Sequence, residues 1–147
     1  MLDYKIIRKD SDFQSDFPRD EFINFLHEHL ERFGDSKEAI SKSIDYAFSD
    51  DGGKGGFLLI AYNDNKIVGG LVMNRTGMEG YIPENILVYV AVDGALRGKG
   101  YGGEICKKAI DLADGNVALH VEYDNPAKRL YERLGFTTKY AEMRLTK

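Results

Sequence analysis

A chain of 147 residues falls in the usual range for one domain built around one core. With 43% hydrophobic and 30% charged residues it is neither disordered nor membrane-like, and no apolar run approaches the roughly 18 residues needed to span a bilayer. The net charge of −4 hides an asymmetry: residues 9–52 hold 5 Lys/Arg against 12 Asp/Glu, a balance of −7, while residues 97–147 hold 10 against 7, a balance of +3.

In chain order, Tyr4–Arg8 reads as a short first strand. From about Arg19 to Phe33, Phe22, Phe25, Leu26, Leu30 and Phe33 share one helical face. Gly34 is placed to stop that helix, and Asp35 or Ser36 to cap the next. The second helix presents Ile40, Ile44, Ala47 and Phe48 on one side. Asp50–Gly56 is glycine-rich, but the strand Phe57–Tyr62 follows it, so no helix start donates N–H groups there and a plain loop is expected. Phe57–Tyr62 and Lys66–Asn74 flank Asn63–Lys66 as a hairpin. Ile86–Val92 is apolar nearly throughout and is expected to be buried on both faces. Then come a helix at Tyr101–Ala113, a strand at Val117–Val121, a helix at Pro126–Leu134, and one or two closing strands in Phe136–Thr146.

Between the central strand and the helix that follows lies the most informative stretch, Val88 to Gly103. Its turn supplies Arg97, Lys99 and the glycines Gly98, Gly100, Gly102 and Gly103. Glycine lets a backbone approach an anion closely, and the unpaired N–H groups of a helix start face it. The spacing fits neither a dinucleotide loop, G-x-G-x-x-G, nor a Walker loop, which wants a following Lys-Ser or Lys-Thr. A glycine-rich turn without a ligand stays open on these residues alone.

Downstream, Asn125-x-Ala127-x-x-x-Tyr131-x-x-x-Gly135-Phe136 follows at a fixed distance. Together with Arg97-x-x-Gly100-x-Gly102 it resembles the GNAT superfamily of acetyl-CoA-dependent N-acetyltransferases, over about Ile86 to Phe136. The resemblance implies a single α/β (α+β) domain over residues 1–147. It also implies a mixed, mostly antiparallel sheet of six to seven strands, splayed between the fourth and fifth, with about four flanking helices. The loop Arg97, Gly98, Lys99, Gly100, Tyr101, Gly102 and Gly103 would wrap the pyrophosphate of acetyl-CoA. Backbone groups at Val90, Ala91 and Val92 would bond the pantetheine arm, with the Val90 N–H polarising the thioester carbonyl. Asn125 would contact that arm and cap its helix, and Tyr131 would protonate the departing thiolate. A tyrosine merely packed beside Leu130 and Leu134 is the other reading of Tyr131.

The general base is less defined. Glu84, before the central strand, could receive the amine's proton, though no alternation fixes its direction and its surroundings favour a solvated loop residue. His120 has a suitable titration range but an unfixed direction. Cys106 reads as a packing residue, and the single cysteine excludes an internal disulfide framework. His27, His29 and His120 lack paired ligand spacing, so no metal is expected. The chain starts Met-Leu-Asp-Tyr-Lys, without the basic and apolar regions of a secretory signal, so a cytoplasmic location is expected.

The implied partner is a small primary amine, cationic if the acidic first half lines its site. Nucleic acid and membrane are not expected, because no clustered basic stripe is present. A homodimer is left open. Two rivals remain: a module of the same fold that senses acetyl-CoA without turnover, and a nucleotide-phosphate binder unrelated to acyl transfer.

Overall fold

The computed structural model describes residues Met1–Lys147. Its elements follow the order β1 (Asp3–Ile7), α1 (Arg19–Leu30), α2 (Lys37–Phe48), β2 (Gly56–Asn63), β3 (Lys66–Arg75), β4 (Asn85–Val92), α3 (Tyr101–Leu112), β5 (Val117–Leu119) and α4 (Ala127–Arg133). The sheet has five strands in the order β1-β2-β3-β4-β5; the first four pair antiparallel and β5 joins β4 in parallel. No helix is long and apolar enough to cross a membrane.

Three layers follow from the side-chain pattern. One face of the sheet, with Leu58, Ile60, Val72, Tyr89 and Ala91, packs under α1 and α2 through Phe22, Leu26, Ile40 and Ile44. The other face, with Phe57, Leu59, Leu71 and Leu87, packs under α3 and α4 through Ile105, Ala109 and Tyr131. Strand β2 is buried on both sides because its apolar run has no alternation to spare a face. Two glycines in β3 let the helices close on the sheet. A Cβ at Gly70 would stand 2.8 Å from Phe22 Cε1, and one at Gly69 2.4 Å from Ile105 Cδ1.

The β2–β3 hairpin turns through Asp64 (φ 49°) and Asn65 (φ 62°), the left-handed pair that matches strand twist. Ser36 caps α2 by accepting the Ala39 N–H at 3.1 Å. The end of α1 differs from the expectation. The α-helix closes at Leu30, a 3-10 turn covers Glu31–Phe33, and the positive φ (55°) falls on Glu31 rather than Gly34. Gly34 is needed for room instead, since a Cβ there would lie 2.6 Å from Leu30 Cβ.

Strand β4 is not uniformly buried. Asn85, Leu87, Tyr89 and Ala91 are buried while Ile86, Val88, Val90 and Val92 are half-buried. A bulge against β3 at Val72/Met73 leaves Val88 without a register partner.

The expected six to seven strands are a correction: no strand forms in Phe136–Thr146. The Phe136 N–H turns back to the Tyr131 carbonyl at 3.0 Å, and beyond it Tyr140, Met143 and Leu145 lie 77%, 92% and 82% exposed. Strand β5, expected to reach Val121, pairs over three residues only, a short ladder on which to build a further strand.

Candidate active site

The site grows from the end of that pairing. β4 and β5 match Asn85 with Val117, Ile86 with Ala118 and Leu87 with Leu119, and there the match stops. β4 runs on to Val92 with no strand on that side. Alternate residues of Val88–Val92 therefore turn N–H and C=O groups into a V-shaped opening. Val90 and Val92 line it, packed on the cluster that holds Tyr131. The pairing between the fourth and fifth strands ends where β5 itself ends, at Leu119.

At the mouth of the opening the chain passes from β4 to α3. The first α3 bond is donated by Glu104 N–H to Gly100 C=O, at 3.2 Å. The N–H groups of Arg97, Gly98, Lys99, Gly100, Tyr101, Gly102 and Gly103 donate to nothing in the protein. Gly98 (φ 84°) and Gly100 (φ 83°) adopt left-handed backbone, and no atom lies within 4 Å of a Cβ built on either. Consecutive free donors, a helix start and open space form an anion nest. Gly103 has a different reason: its Cβ would meet Leu130 Cδ1 of α4 at 3.3 Å, so the close neighbour is a helix.

The Arg97 side chain turns away from this nest. Its guanidinium donates to the His29 carbonyl at 2.6 Å and to Glu31 Oε1 at 3.1 Å. The Gly94 N–H donates to His29 Nδ1 at 3.1 Å. The loop is thereby tied to the end of α1, with Lys99 left exposed beside the free N–H groups.

Behind the opening, Asn125 Oδ1 accepts the Ala127 N–H at 2.9 Å and so braces the start of α4. α4 carries Tyr131, 8% exposed, with Phe136 set edge-on at 6.0 Å. Burial, and after it the neighbouring Cys106, push the Tyr131 hydroxyl well above the usual phenol range. It stays protonated near neutrality, which suits a proton donor. Cys106 is fully buried, and burial alone pushes its thiol up to about 12, so it is a packing residue.

Glu84 lies elsewhere. Six residues of extended chain separate it from Val90, about 20 Å. Its carboxylate accepts the Asn116 N–H at 2.8 Å and the Gly80 N–H at 3.3 Å, bracing the turn before β5. The Asn116 bond is the main reason its carboxyl titrates below the ordinary 4.5, against a weaker opposing effect of burial. A weaker base, engaged and distant, is poorly suited to take a proton at the opening. His120 is exposed beyond the end of β5.

Two residues that the motifs did not single out stand on the opposite face. Tyr89 precedes Val90 on β4, and its hydroxyl donates to Asp35 Oδ2 at 2.5 Å. No spacing rule links residues 54 positions apart, and only the bulge and the short α1–α2 connection bring them together.

The comparisons with known proteins agree with this geometry. The model of the "Acetyltransferase (GNAT) family" matches residues 12–136. No curated protein matches the sequence. Among solved structures, the chain is similar to a ribosomal-protein-alanine N-acetyltransferase from Brucella melitensis biovar Abortus 2308, at 16% identity and TM-score 0.66 over 100% of both chains. It is similar to an aminoglycoside acetyltransferase from an uncultured soil metagenomic sample, at 19% identity and TM-score 0.67 over 100% of this chain and 99% of that one. It also resembles glucosamine-6-phosphate N-acetyltransferase from Arabidopsis thaliana, at 20% identity and TM-score 0.58 over 98% of each.

Proposed function

The chain belongs to the GNAT acetyltransferase family, and on that premise we propose that it transfers an acetyl group directly from acetyl-CoA to a primary amine of a small molecule or peptide. The observation that carries the reading is the run of free N–H groups from Arg97 to Gly103, set beside the unpaired edge of β4. That pairing of an anion nest with an extended slot suits a pyrophosphate joined to an amide-bearing arm.

The nest and Lys99 hold the diphosphate. The edge of β4 over Val90, Ala91 and Val92 bonds the pantetheine amides, and Asn125 keeps α4 in place beside it. The cosubstrate supplies a thioester, an acyl group already activated toward an amine. The Val90 N–H polarises the acyl oxygen, and Tyr131, a phenol protonated near neutrality whose titration burial raises further, delivers its proton to the sulfur as the C–S bond breaks. No residue forms an acyl intermediate, since the only thiol is buried and neutral.

The acceptor is proposed to be a small, cationic amine that approaches from the acidic α1–α2 side. The neighbours named above act on acceptors as different as a ribosomal protein, an aminoglycoside and a sugar phosphate. They support an amine in general and select none. The distance of Glu84 from the opening favours a second reading, a sensor that binds acetyl-CoA without turnover. A thiol-release assay with acetyl-CoA against polyamines, aminoglycosides, amino acids and peptide N-termini separates the two. Release with any amine sustains transfer; tight binding with no release sustains the sensor.

A further inference from the structure

We propose that Asp35 receives a second, distal cation of the acceptor and is aimed by Tyr89, so that this pair selects acceptors carrying a protonated nitrogen about 9 Å from the strand that holds the acyl group. The proposal rests on the acetyl-transfer reading above.

Several acidic groups in the region of Asp35 already face a cation, and although Asp20 and Glu21 of α1 also form no ion pair, only Asp35 is tied to the strand beside Val90. Glu31 accepts from Arg97, Glu38 faces Lys42 at 3.8 Å, and Glu28 lies 3.6 Å from His29. Asp10 and Asp45 share Arg19, and Asp124 pairs with Arg32. Asp35 is exposed and forms no ion pair. Its one side-chain bond is to a neutral donor, the Tyr89 hydroxyl, at 2.5 Å through Oδ2, which leaves Oδ1 free.

Tyr89 gives that carboxylate its relation to the chemistry. It is 8% exposed, fixed in the core under α1 and α2, and adjacent in β4 to Val90. A phenol hydroxyl stands about 6.5 Å from its own Cα, and one hydrogen bond adds the rest, so Asp35 lies about 9 Å from the β4 backbone. A linear diamine with roughly seven bonds between its nitrogens has a comparable reach. Burial first, then the bond to Asp35, holds the Tyr89 hydroxyl well above the usual phenol range, so it remains a donor across the working range of pH.

Asp35 is a specificity residue and Tyr89 a positioning residue that acts through it.

The test compares 1,6-diaminohexane with 1-aminohexane, equal in length and reacting group, in the wild type, Asp35→Asn, Asp35→Glu and Tyr89→Phe. Wild type should prefer the diamine in kcat/KM by roughly fivefold to tenfold, the size of one partly exposed charge contact. The preference should sit in KM and shrink with salt. Asp35→Asn should bring the ratio down to about two, the statistical factor for two equivalent amines, Asp35→Glu should restore part of the preference, and Tyr89→Phe should give an intermediate ratio.

An Asp35→Asn enzyme that keeps the full preference overturns the assignment of Asp35. If wild type releases no thiol with either amine, the transfer reading fails instead. In that case the distal-cation site is read by binding: with coenzyme A present, the diamine must raise the melting temperature of wild type more than that of Asp35→Asn. Equal shifts overturn the proposal.

Discussion

Arg97 donates to the backbone carbonyl of His29 at 2.6 Å, across 68 positions of sequence, and so ties the loop before α3 to the last turn of α1. The same guanidinium reaches Glu31, whose backbone holds a φ of 55° that a β-carbon makes unfavourable. The end of α1 and the loop before α3 are therefore one mechanical unit. The Gly94 N–H adds a second tie through His29 Nδ1.

Arg97→Ala should lower the melting temperature of the free protein by about 4 °C, the shift expected for losing roughly 1 kcal/mol of charge-assisted bonding in a domain of this size. It should also reduce the further rise that coenzyme A produces, because the loop loses its support. Arg97→Lys can reach only one of the two acceptors at a time and should recover part of each effect. Thermal shift with and without coenzyme A reads both. A ligand-induced rise untouched in Arg97→Ala would show that the loop holds its shape without the tie.

The loop itself is tested at Gly100. A Cβ there meets nothing within 4 Å, while its φ of 83° suits asparagine better than other side chains. Gly100→Asn should fold, with a melting temperature within a few degrees of wild type. It should also lose the stabilisation that coenzyme A gives by binding the folded state alone. A preserved shift would remove the nest from the cosubstrate site.

Cys106 offers a check on the core beneath that loop. With its thiol pushed up to about 12, only about one molecule in ten thousand carries a thiolate at pH 8. Alkylation by iodoacetamide should then be at least a thousandfold slower in the native protein than in urea, with the folded chain reacting mainly through opening events. Rapid modification of the native protein would show α3 loosely packed on the sheet.

What could be read in the sequence follows from how local each signal is. The hairpin at Asp64–Asn65, the Ser36 cap and the glycine-rich turn that opens α3 each depend on a few neighbouring residues, and each forms where expected, whereas β4, expected to be buried on both faces, buries only alternate residues. The end of α1 was misplaced because Leu30 packs against Gly34, a contact that helix periodicity does not encode. The closing strands expected in Phe136–Thr146 do not form, because a strand needs a partner edge that the segment's own residues do not supply. The Tyr89–Asp35 pair and the engagement of Arg97 with α1 were invisible because they join distant segments. Glu84 was judged by its place before the strand, which says nothing of the turn it meets in space.

Tyr131→Phe removes one oxygen and leaves the ring on Phe136 and the α4–α3 packing intact. Because Tyr131 has no protein partner for its hydroxyl, the fold should lose little. Turnover should fall by roughly tenfold to a thousandfold, the range for losing a positioned proton donor. Coenzyme A should bind nearly as before. A turnover unchanged within twofold would make Tyr131 a packing residue and move the proton donor to water.

Glu84→Gln separates a brace from a base. Glutamine keeps the size of the side chain and loses the charge that the Asn116 and Gly80 N–H groups favour. A carboxyl whose folded titration lies below its ordinary value of 4.5 stabilises the protein above that pH. The benefit is lost as pH falls through the folded value, when native and unfolded chains are both protonated. The wild type should therefore melt higher than Glu84→Gln at pH 7, and the gap should close progressively as pH falls below the ordinary value of 4.5. In thiol release the variant should stay within a few-fold of wild type, since the carboxylate stands about 20 Å along β4 from Val90. A base in the proton path would instead cost on the order of a hundredfold or more in kcat and would remove the acid limb of the pH–rate profile. That pair of results, with no change in the melting gap against pH, would return Glu84 to the reaction and oblige the β4–β5 opening to close much further down the strand than Leu87–Leu119.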